Sequence, residues 1–439
     1  MKIAVIGAGI SGLGCAFALK DRHDVTLYEK DARLGGHAHA VTIDYDGRQI
    51  EVDTGFIVYN TRNYPNLVGL LDALKVETAA TDMSFGFCGD GLEWSSNFPA
   101  GVFAQKRNLA RPAFLRMLAD IARFNRVALA DLGAGVLEDL TLGGYLRLRG
   151  FSQDFERRYL LPMAAAIWSA SEASVAEAPA ESFVRFFANH NLLQMVQPAW
   201  RTVKPTSRAY VEPLRAALGA RVRPGLGAIA VRRLARGGVE VRDSDGGVER
   251  FDQAVLACHS DQALRLVADA DREERAFLGA VRYAPNAAWL HRDPALMPRR
   301  RAAWASWNYM RAAPDAAPAV TYWMNRLQHI DPGRPLFLSL NPHREPDPAL
   351  TFARFDYDHP QFDTPSLAAQ RRFSRIQGRG GLWYAGAWLG HGFHEDGLTA
   401  GLRVAMALGG ATPWTFVDHR IEGGPLTPVR LPLGERAVA

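Results

Sequence analysis

The chain has 439 residues, a net charge of +5, 48% apolar residues and 22% charged residues. This composition is that of a soluble globular protein, and the length permits more than one domain with a large core. No run of about 18 apolar residues exists that could cross a membrane. Cys15, Cys88 and Cys258 are scattered without a CxxC pair. Because that pattern provides no disulfide framework, and because the first residues carry no signal-peptide pattern, we expect a cytoplasmic protein.

The N-terminus has the pattern of a dinucleotide-binding unit. Residues 3–7 (IAVIG) predict a buried strand, Gly7, Gly9 and Gly12 form G-x-G-x-x-G before a helical pattern, and a second strand ends at Glu29. The glycines permit a tight turn and close approach of a pyrophosphate to a helix N-terminus, and the acid can bind a ribose. Glycines that only close a turn are the alternative. The order strand, helix, strand and acid favours a dinucleotide.

The next residues extend this motif to E-x-x-x-R-x-G-G, from Glu29 through Arg33 to Gly36. The extension resembles that of the flavin amine oxidase superfamily, which includes monoamine oxidases, protoporphyrinogen oxidase and phytoene desaturases. VDTGFIVYN (52–60) is similar to the superfamily segment whose backbone lies against the flavin ring. The resemblance implies FAD as the cofactor. In this part of the chain it implies FAD contacts at Gly7, Gly9, Ser11, Gly12, Glu29, Lys30, Gly36, His37, Gly55 and Phe56.

Residues 384–397 (YAGAWLGHGFHEDG) leave two interpretations open. Histidines beside acids are compatible with a metal site, but HGFHED matches no ligand spacing of known geometry, and we predict no metal. The superfamily instead places a strand, a glycine-rich turn and a helix here. The resemblance implies that a helix over 397–408 directs Asp396, Gly397 and Leu398 at the flavin. Ala387 stands where many amine oxidases have an acid, so Asp396 is the candidate for the ribityl contact. His391 and His394 are either base candidates or ordinary hydrogen-bonded histidines.

The predicted fold class is α/β, with a Rossmann-like FAD-binding domain assembled from discontinuous segments and a mixed α+β substrate domain. We assign residues 1–75, 205–265 and 378–415 to the FAD-binding domain. Residues 76–204 and 266–377 are assigned to the substrate domain, and 416–439 to an extended tail. In the superfamily, the β-meander predicted after residue 205 holds adenine through its backbone, which the resemblance places at Val231.

The chain most closely resembles a bacterial family of FAD-binding proteins often labelled amine oxidases. The segments that carry this resemblance are GFIVYN, YLLPMAAAIWS, WASWNY, TYWMNRLQ and GFHEDG. Some members act with enzymes that methylate membrane fatty acyl chains. The resemblance implies desaturation of a methyl-branched acyl chain as one activity.

The residues themselves disfavour an amine as substrate. Amine oxidases of the superfamily place a lysine near flavin N5 from a late strand, and this chain has no lysine after Lys204. Phe393 stands where those enzymes have a tyrosine. The substrate domain is rich in aromatic residues. Any single one is better explained as a core residue, but as a set with few charges between them they favour an apolar substrate. We predict an apolar pocket lined by Trp168, Tyr309, Asn325 and Phe393.

An allylic C–H is the bond that a flavin can oxidise in an acyl chain, because the developing positive charge is shared with the double bond. The predicted reaction therefore converts an unsaturated, methyl-branched phospholipid chain to a conjugated diene. A flavin-dependent amine oxidase, a redox-neutral double-bond isomerase and a non-catalytic lipid-binding partner remain as alternatives. No catalytic residue is assigned.

The predicted partners follow from this substrate. Residues 106–126 (KRNLARPAFLRMLADIARFNR) hold six cations beside apolar residues, among them Leu109, Phe114, Leu115 and Phe124. This pattern is typical of an interfacial helix, or of a helix packed on its own domain with a basic outer face. The first alternative adds the inner face of the membrane as a location. The electron acceptor is oxygen, a quinone or a carrier protein, since no second G-x-G-x-x-G exists, and no nucleic-acid partner is expected.

Overall fold

The computed structural model describes residues 1–168, 170–189, 192–193, 199–313 and 318–419, and the single residues 421, 426 and 429. Most of the predicted tail at 416–439 lies outside the described residues. The strands are β1 Lys2–Ile6, β2 Asp24–Glu29, β3 Ala40–Tyr45, β4 Arg48–Asp53, β5 Val58–Asn60, β6 Thr78–Ala80, β7 Phe85–Gly89, β8 Leu92–Ser95, β9 Trp200–Val203, β10 Val222–Pro224, β11 Ala228–Arg233, β12 Val239–Asp243, β13 Val248–Phe251, β14 Gln253–Leu256, β15 Arg282–His291, β16 Trp307–Met310, β17 Ala319–Trp323, β18 Phe337–Leu340, β19 Thr351–Gln361 and β20 Leu382–Tyr384.

The helices are α1 Ile10–Leu19, α2 Pro65–Ala73, α3 Pro112–Gly133, α4 Leu142–Leu148, α5 Gln153–Phe155, α6 Leu161–Trp168, α7 Glu172–Glu177, α8 Ala180–Asn189, α9 Arg208–Leu218, α10 Ser260–Leu266, α11 Arg272–Leu278, α12 Met324–Leu327, α13 Thr364–Gln370 and α14 His394–Ala407. A π-helical segment, Glu156–Leu160, joins α5 to α6. No helix within the described ranges is long and apolar enough to cross a membrane.

One unit is built on a parallel sheet with the strand order β10-β2-β1-β14-β20. Its central strand β1 pairs with β2 on one side and with β14 on the other, both in parallel. Residues 3–6 of β1 are buried, as expected for a strand covered on both faces. The meander β11–β12–β13 is a separate antiparallel sheet. The predicted α/β class with a Rossmann-like domain built from distant segments is confirmed.

The other unit is built on a seven-stranded sheet, ordered β19-β15-β18-β17-β16-β7-β8, with the helices between residues 112 and 189 packed beside it. Each unit has its own apolar core. The cores depart from the predicted domain boundaries at two places. Leu278 of α11 and Phe373 lie in the core of the Rossmann-like unit, whereas Ile43 and Val52 of the β3–β4 hairpin lie in the core of the second.

The two units meet at a buried carboxylate. Asp53 accepts the backbone N–H of Ser207 at 3.0 Å and the amide Nε2 of Gln328 at 2.7 Å. Its own N–H donates to Gln328 Oε1 at 2.9 Å. Burial, partly offset by these hydrogen bonds, raises the pKa of Asp53 to about 6. Three segments far apart in sequence are therefore fixed by one side chain.

The segment at 106–126 differs from a single interfacial helix. Lys106–Ala110 is a 3₁₀ turn, and α3 begins at Pro112. Phe114, Met117 and Phe124 are buried in the core of the second unit, because the apolar stripe of α3 faces its own domain. Of the residues expected to face lipid, Leu109 and Leu115 are exposed.

Helices α1 and α14 join the two ends of the chain at very short range. A Cβ added at Gly401 would overlap the backbone carbonyl oxygen of Ser11, and one added at Gly397 would lie 3.0 Å from Ser11 Oγ. Leu398 in turn occupies the space above Gly14, where a methyl group would overlap its Cδ1. The glycines are required because the helices touch backbone to backbone.

We predict that Gly401→Ala destabilises the protein by about 1–3 kcal/mol, because the added methyl group separates α1 from α14. Thermal unfolding of the cofactor-free protein measures the loss as a lower Tm. The matched control is Gly133→Ala at the end of α3, where an added Cβ meets nothing within 4 Å. Equal Tm values for the two variants would contradict this account of the helix contact.

Candidate functional site

The turn between β1 and α1 has the geometry of an anion cradle. Gly7 has a φ of +100°, and a Cβ at Gly12 would overlap the Gly7 carbonyl oxygen. Gly9 caps α1, and a Cβ added there would meet no protein atom within 4 Å. The turn therefore needs two of its glycines for its own shape. The third keeps open the space beside a helix N-terminus, where phosphates bind.

The acid at the end of β2 lies against this turn. Glu29 is buried, and its Oε2 accepts the backbone N–H of Ala8 at 2.7 Å. Its Oε1 accepts the N–H of Asp31 at 3.0 Å. The exposed Lys30 follows, and it packs beside Gly227 at the start of the meander. Sequence spacing predicted this neighbourhood of acid and glycine turn, and the structure brings the two together.

The loop that follows β2 closes over the same turn. Gly35 forms a bridge with Gly9, and its N–H donates to Ala8 O at 2.8 Å. A Cβ at Gly36 would lie 3.1 Å from the Cα of Gly9. Arg33 holds the loop by donating from Nη1 to the Gly36 carbonyl at 2.9 Å. The extended motif is thus one contiguous structure in space.

The segment at Gly55 and Phe56 continues this wall. Phe56 donates its N–H to His37 O at 2.7 Å, and a Cβ at Gly55 would overlap the same oxygen. The Phe56 ring stacks on His394 with ring centroids 3.9 Å apart. His394 Nε2 lies 2.8 Å from the Tyr210 hydroxyl, and burial lowers the pKa of His394 to about 3. His394 is thus a neutral, packed and hydrogen-bonded histidine at neutral pH.

The two carboxylates of the HED stretch (residues 394–396) accept hydrogen bonds from backbone N–H groups. Glu395 accepts the N–H groups of Asn66 and Leu67, both at 2.9 Å, at the start of α2. Asp396 Oδ2 accepts the N–H groups of His391 at 3.1 Å and Phe393 at 2.8 Å. Among the described residues no group of three or more His, Cys, Asp or Glu side chains has a metal-binding arrangement. This stretch is a pair of helix caps.

The C-terminal helix departs from the sequence prediction. It begins at His394, and the Gly397 N–H already donates to Phe393 O at 3.1 Å inside the helix. Leu398 is fully buried against α1. Gly397 and Leu398 are therefore helix-packing residues, and Asp396 uses Oδ2 to cap its own helix, because α14 starts three residues earlier than its apolar spacing suggested.

Val231 is also corrected. It is fully buried in β11, and its carbonyl accepts the N–H of Ala268 at 2.9 Å. The part of the meander nearest the site is instead Leu226–Ala228: Leu226 forms a bridge with Glu29, and a Cβ on Gly227 would lie 2.9 Å from the Cβ of Lys30. Ala228, three residues before Val231, is half-buried. The segment AIAV (228–231) alternates small and β-branched residues, so its sequence alone does not indicate which of them lies nearest the site.

Half-buried histidines from both units meet beside these loops. The His37 ring lies 6.0 Å from that of His259 and 5.6 Å from that of His359. Burial and the neighbouring histidines hold the pKa of His37 well below its usual value, and burial lowers the pKa of His359 to about 4. Within the described chain, Nε2 of His37 has no hydrogen-bond partner. His359 Nδ1 lies 3.2 Å from the amide Nδ2 of Asn286 in β15.

Sequence reasoning missed His259, His359 and Asn286. A signal existed for His259, since it follows β14 and ligands bind beyond the carboxyl ends of parallel strands. His359 and Asn286 had none, because only the antiparallel pairing of β19 with β15 brings them together.

An aromatic group lies next to the start of α14. Trp168 and Phe393, both predicted pocket residues, are bridged by Phe186 of α8, with ring centroids 4.5 Å and 5.4 Å away. Phe183 and Phe187 extend the group along the same helix. Phe186 was missed because α8 has the ordinary spacing of a core helix. Trp168 and Phe393 are half-buried, and together with the buried Phe186 between them they form an aromatic surface that ends at Phe393, one residue before His394.

Tyr309 and Asn325 are not part of this surface. The Tyr309 hydroxyl donates to Glu172 at 2.7 Å, and its ring stacks on Phe87 inside the core. Asn325 accepts the N–H of Leu336 at 2.7 Å and donates to the carbonyl of Asp331 at 2.8 Å. Tyr309 is a core residue and Asn325 fixes a loop. Both lie in segments whose aromatic and polar composition resembles that of a pocket.

Comparisons with known proteins agree with this architecture. Residues 5–74 match the family of NAD(P)-binding Rossmann-like domains. A 98-residue stretch is 35% identical to 15-cis-phytoene desaturase from Synechococcus elongatus, a match that covers 22% of this chain and 17% of the desaturase. The chain therefore matches only a small part of the length of that curated relative.

Two solved structures align over nearly the whole chain. Putrescine oxidase is 16% identical with a TM-score of 0.65, covering 92% of this chain and 98% of that structure. A fatty acid isomerase from P. acnes that produces CLA is 16% identical with a TM-score of 0.66, covering 92% and 97%. The chain shares the fold of these two proteins. The predicted superfamily resemblance is thereby confirmed at the level of the fold.

The cofactor predicted from the sequence is FAD, and the described residues fit it. The open space at Gly9 and the helix N-terminus suit a pyrophosphate, and Glu29 lies where a ribose would be bound. The unpartnered Nε2 of His37 gives a buried polar atom that a ligand can satisfy. Gly55 and Phe56 would form the wall for the flavin ring. Bound FAD supplies a two-electron acceptor to this fold.

We predict that Gly9→Val leaves the cofactor-free protein folded but lowers its FAD affinity at least about tenfold, or about 1.4 kcal/mol. The Cβ of the new side chain meets no protein atom within 4 Å, and the φ of Gly9 is −72°, so the substitution is expected to displace a ligand rather than the protein's own structure. Titration of FAD fluorescence measures the affinity, and circular dichroism measures the fold. Gly133→Val is the control, and unchanged FAD affinity in Gly9→Val would place the pyrophosphate elsewhere.

We predict a loss of stability in acid from His359 and His394. Their pKa values in the folded state lie below 6.5, so the unfolded chain takes up protons first as the pH falls. Stability is therefore full above about pH 6.5 and declines towards pH 4, by about 2 kcal/mol per histidine at pH 5. Urea unfolding of cofactor-free protein between pH 5 and 7.5 measures this slope. In His394→Phe, which can still stack on Phe56, the slope becomes shallower by about one proton, and a slope equal to that of the wild type would show that His394 does not contribute.

Proposed function

We propose that the protein is an FAD-dependent oxidoreductase that desaturates an unsaturated, methyl-branched fatty acyl chain of a membrane phospholipid to a conjugated diene. One observation carries this proposal: the surface beside the cofactor segments is aromatic, while its nearest acids are turned into the backbone. Trp168, Phe186 and Phe393 form that surface. Phe393 directly precedes His394, whose ring stacks on Phe56. An acyl chain is a ligand of the same apolar character.

The polar groups of the site do not suit an amine. A substrate ammonium needs a carboxylate to receive it, because a buried charge must be paired. Glu395 and Asp396, the acids next to Phe393, each accept two backbone N–H groups. The chain holds no lysine after Lys204. In the long strand β15 the buried polar residue is Asn286, whose Oδ1 accepts a hydrogen bond from Nδ2 of Asn341 at 2.7 Å.

The proposed reaction removes one hydride and one proton from the acyl chain. The hydride would be transferred from an allylic carbon to the bound FAD, and the positive charge developing on that carbon would be delocalised over the existing double bond. The proton leaves the adjacent carbon to water or to a neutral imidazole, and a second double bond forms. The two electrons then pass to oxygen, a quinone or a carrier protein. The chain supplies the binding surface and excludes bulk water from it.

We expect an acyl substrate to reduce the bound flavin in the absence of oxygen. FAD-loaded protein is mixed with phospholipid vesicles that carry a methylated monounsaturated chain, and separately with a panel of amines. Loss of flavin absorbance with the vesicles, together with a new conjugated-diene absorbance, is the expected result. Reduction by an amine alone would overturn the proposal. A conjugated diene formed without net flavin reduction would identify a redox-neutral isomerase.

A matched pair of variants tests the aromatic surface within the same assay. Phe393→Tyr adds one hydroxyl to a ring stacked on Phe186, and burying that hydroxyl should slow reduction by the acyl chain by about fivefold, equivalent to about 1 kcal/mol. Phe17→Tyr makes the same chemical change on a half-buried ring of α1 that stacks on Trp414. Equal rates of flavin reduction in the two variants would show that Phe393 does not contact the substrate.

A further inference from the structure

An exposed apolar patch lies on the second unit, outside the site described above. Its side chains are unusually open for their size: Phe98 is 80% exposed, Leu109 57% and Leu115 43%. Ring contacts link Phe98 to α3 beside Leu115, and Leu109 lies in the 3₁₀ turn that precedes α3. Phe98 contacts Phe103 at 6.4 Å between centroids, and Phe103 contacts Phe114, the neighbour of Leu115, at 6.5 Å.

The chain segment that carries the patch is rich in positive charge. Between Glu93 and Asp120 the chain carries four cations and no acid. Those cations are Lys106, Arg107, Arg111 and Arg116. Arg107 also supports the patch, since its guanidinium donates to the Gly91 carbonyl at 2.6 Å. The side chain of Arg116 is 65% exposed, and its Nε lies 3.9 Å from a carboxylate oxygen of Asp120, an exposed ion pair that leaves most of the guanidinium open to a partner.

The patch is rigidly mounted. Phe103 and Phe114 connect it to the core, where Phe114 packs on Trp94 with centroids 6.0 Å apart. Asn97, next to Phe98, donates to the Trp304 carbonyl at 3.1 Å. The apolar side chains are therefore held outward by packed structure, so that little ordering is needed when they meet a partner.

We propose that Phe98, Leu109 and Leu115, with the four surrounding cations, form a docking surface for an anionic lipid bilayer. A bilayer with acidic headgroups offers both a negative surface and an apolar layer a few ångströms below it. A second copy of this chain is disfavoured as the occupant, because it would bring an equal set of cations into contact with these four. The surface differs from the predicted interfacial helix, since Phe114 and Phe124 are core residues and Phe98 lies outside 106–126.

The inference deepens the proposed function, on which its purpose rests: an enzyme acting on phospholipid chains needs contact with the bilayer. Docking can nevertheless be measured without turnover. Vesicles of diphytanoyl phospholipids are fluid and contain no double bond, so they offer no allylic C–H. Failure to dock and failure to desaturate are thereby separate results.

The experiment is co-sedimentation of the FAD-loaded protein with diphytanoyl vesicles of phosphatidylcholine, alone or with about 30% phosphatidylglycerol. We expect at least about tenfold stronger binding to the anionic vesicles, weakened in 0.5 M salt, since each cation near such a surface contributes about fivefold. Phe98→Ser combined with Leu115→Ser should lower binding about tenfold. Lys106→Gln combined with Arg116→Gln should lower it only on anionic vesicles.

Val248→Ser is the control, because Val248 is also exposed (52%) but lies in the meander of the Rossmann-like unit. This variant should bind vesicles like the wild type. The proposal is overturned if the wild type does not bind anionic vesicles, or if both double variants bind as the wild type does. It is also overturned if light scattering shows a dimer that Phe98→Ser with Leu115→Ser converts to a monomer, since the patch would then be an interface between copies.

Discussion

The backbone contact between α1 and α14 is the constraint on which the rest of the structure depends. Gly397 and Gly401 allow the last long helix to touch Ser11 directly, so that residues nearly four hundred positions apart share one surface. From that contact α14 places His394 on Phe56 and Glu395 at the N-terminus of α2. A larger residue at the contact would move all these groups together, because a helix is displaced as a rigid body.

The polar groups around the site are largely used to fix backbone. Glu395 and Asp396 cap helices, Glu29 holds the glycine turn, and Asp53 ties the two units through Ser207 and Gln328. Buried carboxylates need such partners, and backbone amides provide them without introducing a counter-charge. The site that remains is lined by glycines, neutral imidazoles and aromatic rings. This character favours a large cofactor and an apolar substrate over a metal or a cation.

The proposed docking surface and the aromatic surface at Phe393 belong to the same unit. Trp94, beneath the exposed patch, contacts Tyr159, and the π-helical segment that contains Tyr159 leads into α6 and Trp168. Two apolar surfaces are thus connected through one packed core. In an enzyme that takes a substrate from a bilayer, such a core would keep the entry side and the reaction side in a fixed relation.

The sequence alone determined the Rossmann-like fold, the glycine turn and its acid, because these features depend on short-range spacing: strand, turn, helix and strand follow within thirty residues. It also selected Trp168 and Phe393, which Phe186 links in the structure, although Phe186 itself had no signal. Only the tertiary structure showed that the carboxylates of the HED stretch bind backbone N–H groups and that Tyr309 and Asn325 lie outside the aromatic surface. It also brought His37, His259 and His359 together. The reason is physical: whether a carboxylate binds a ligand or a backbone amide, and which face of a helix is buried, depends on partners supplied by distant segments.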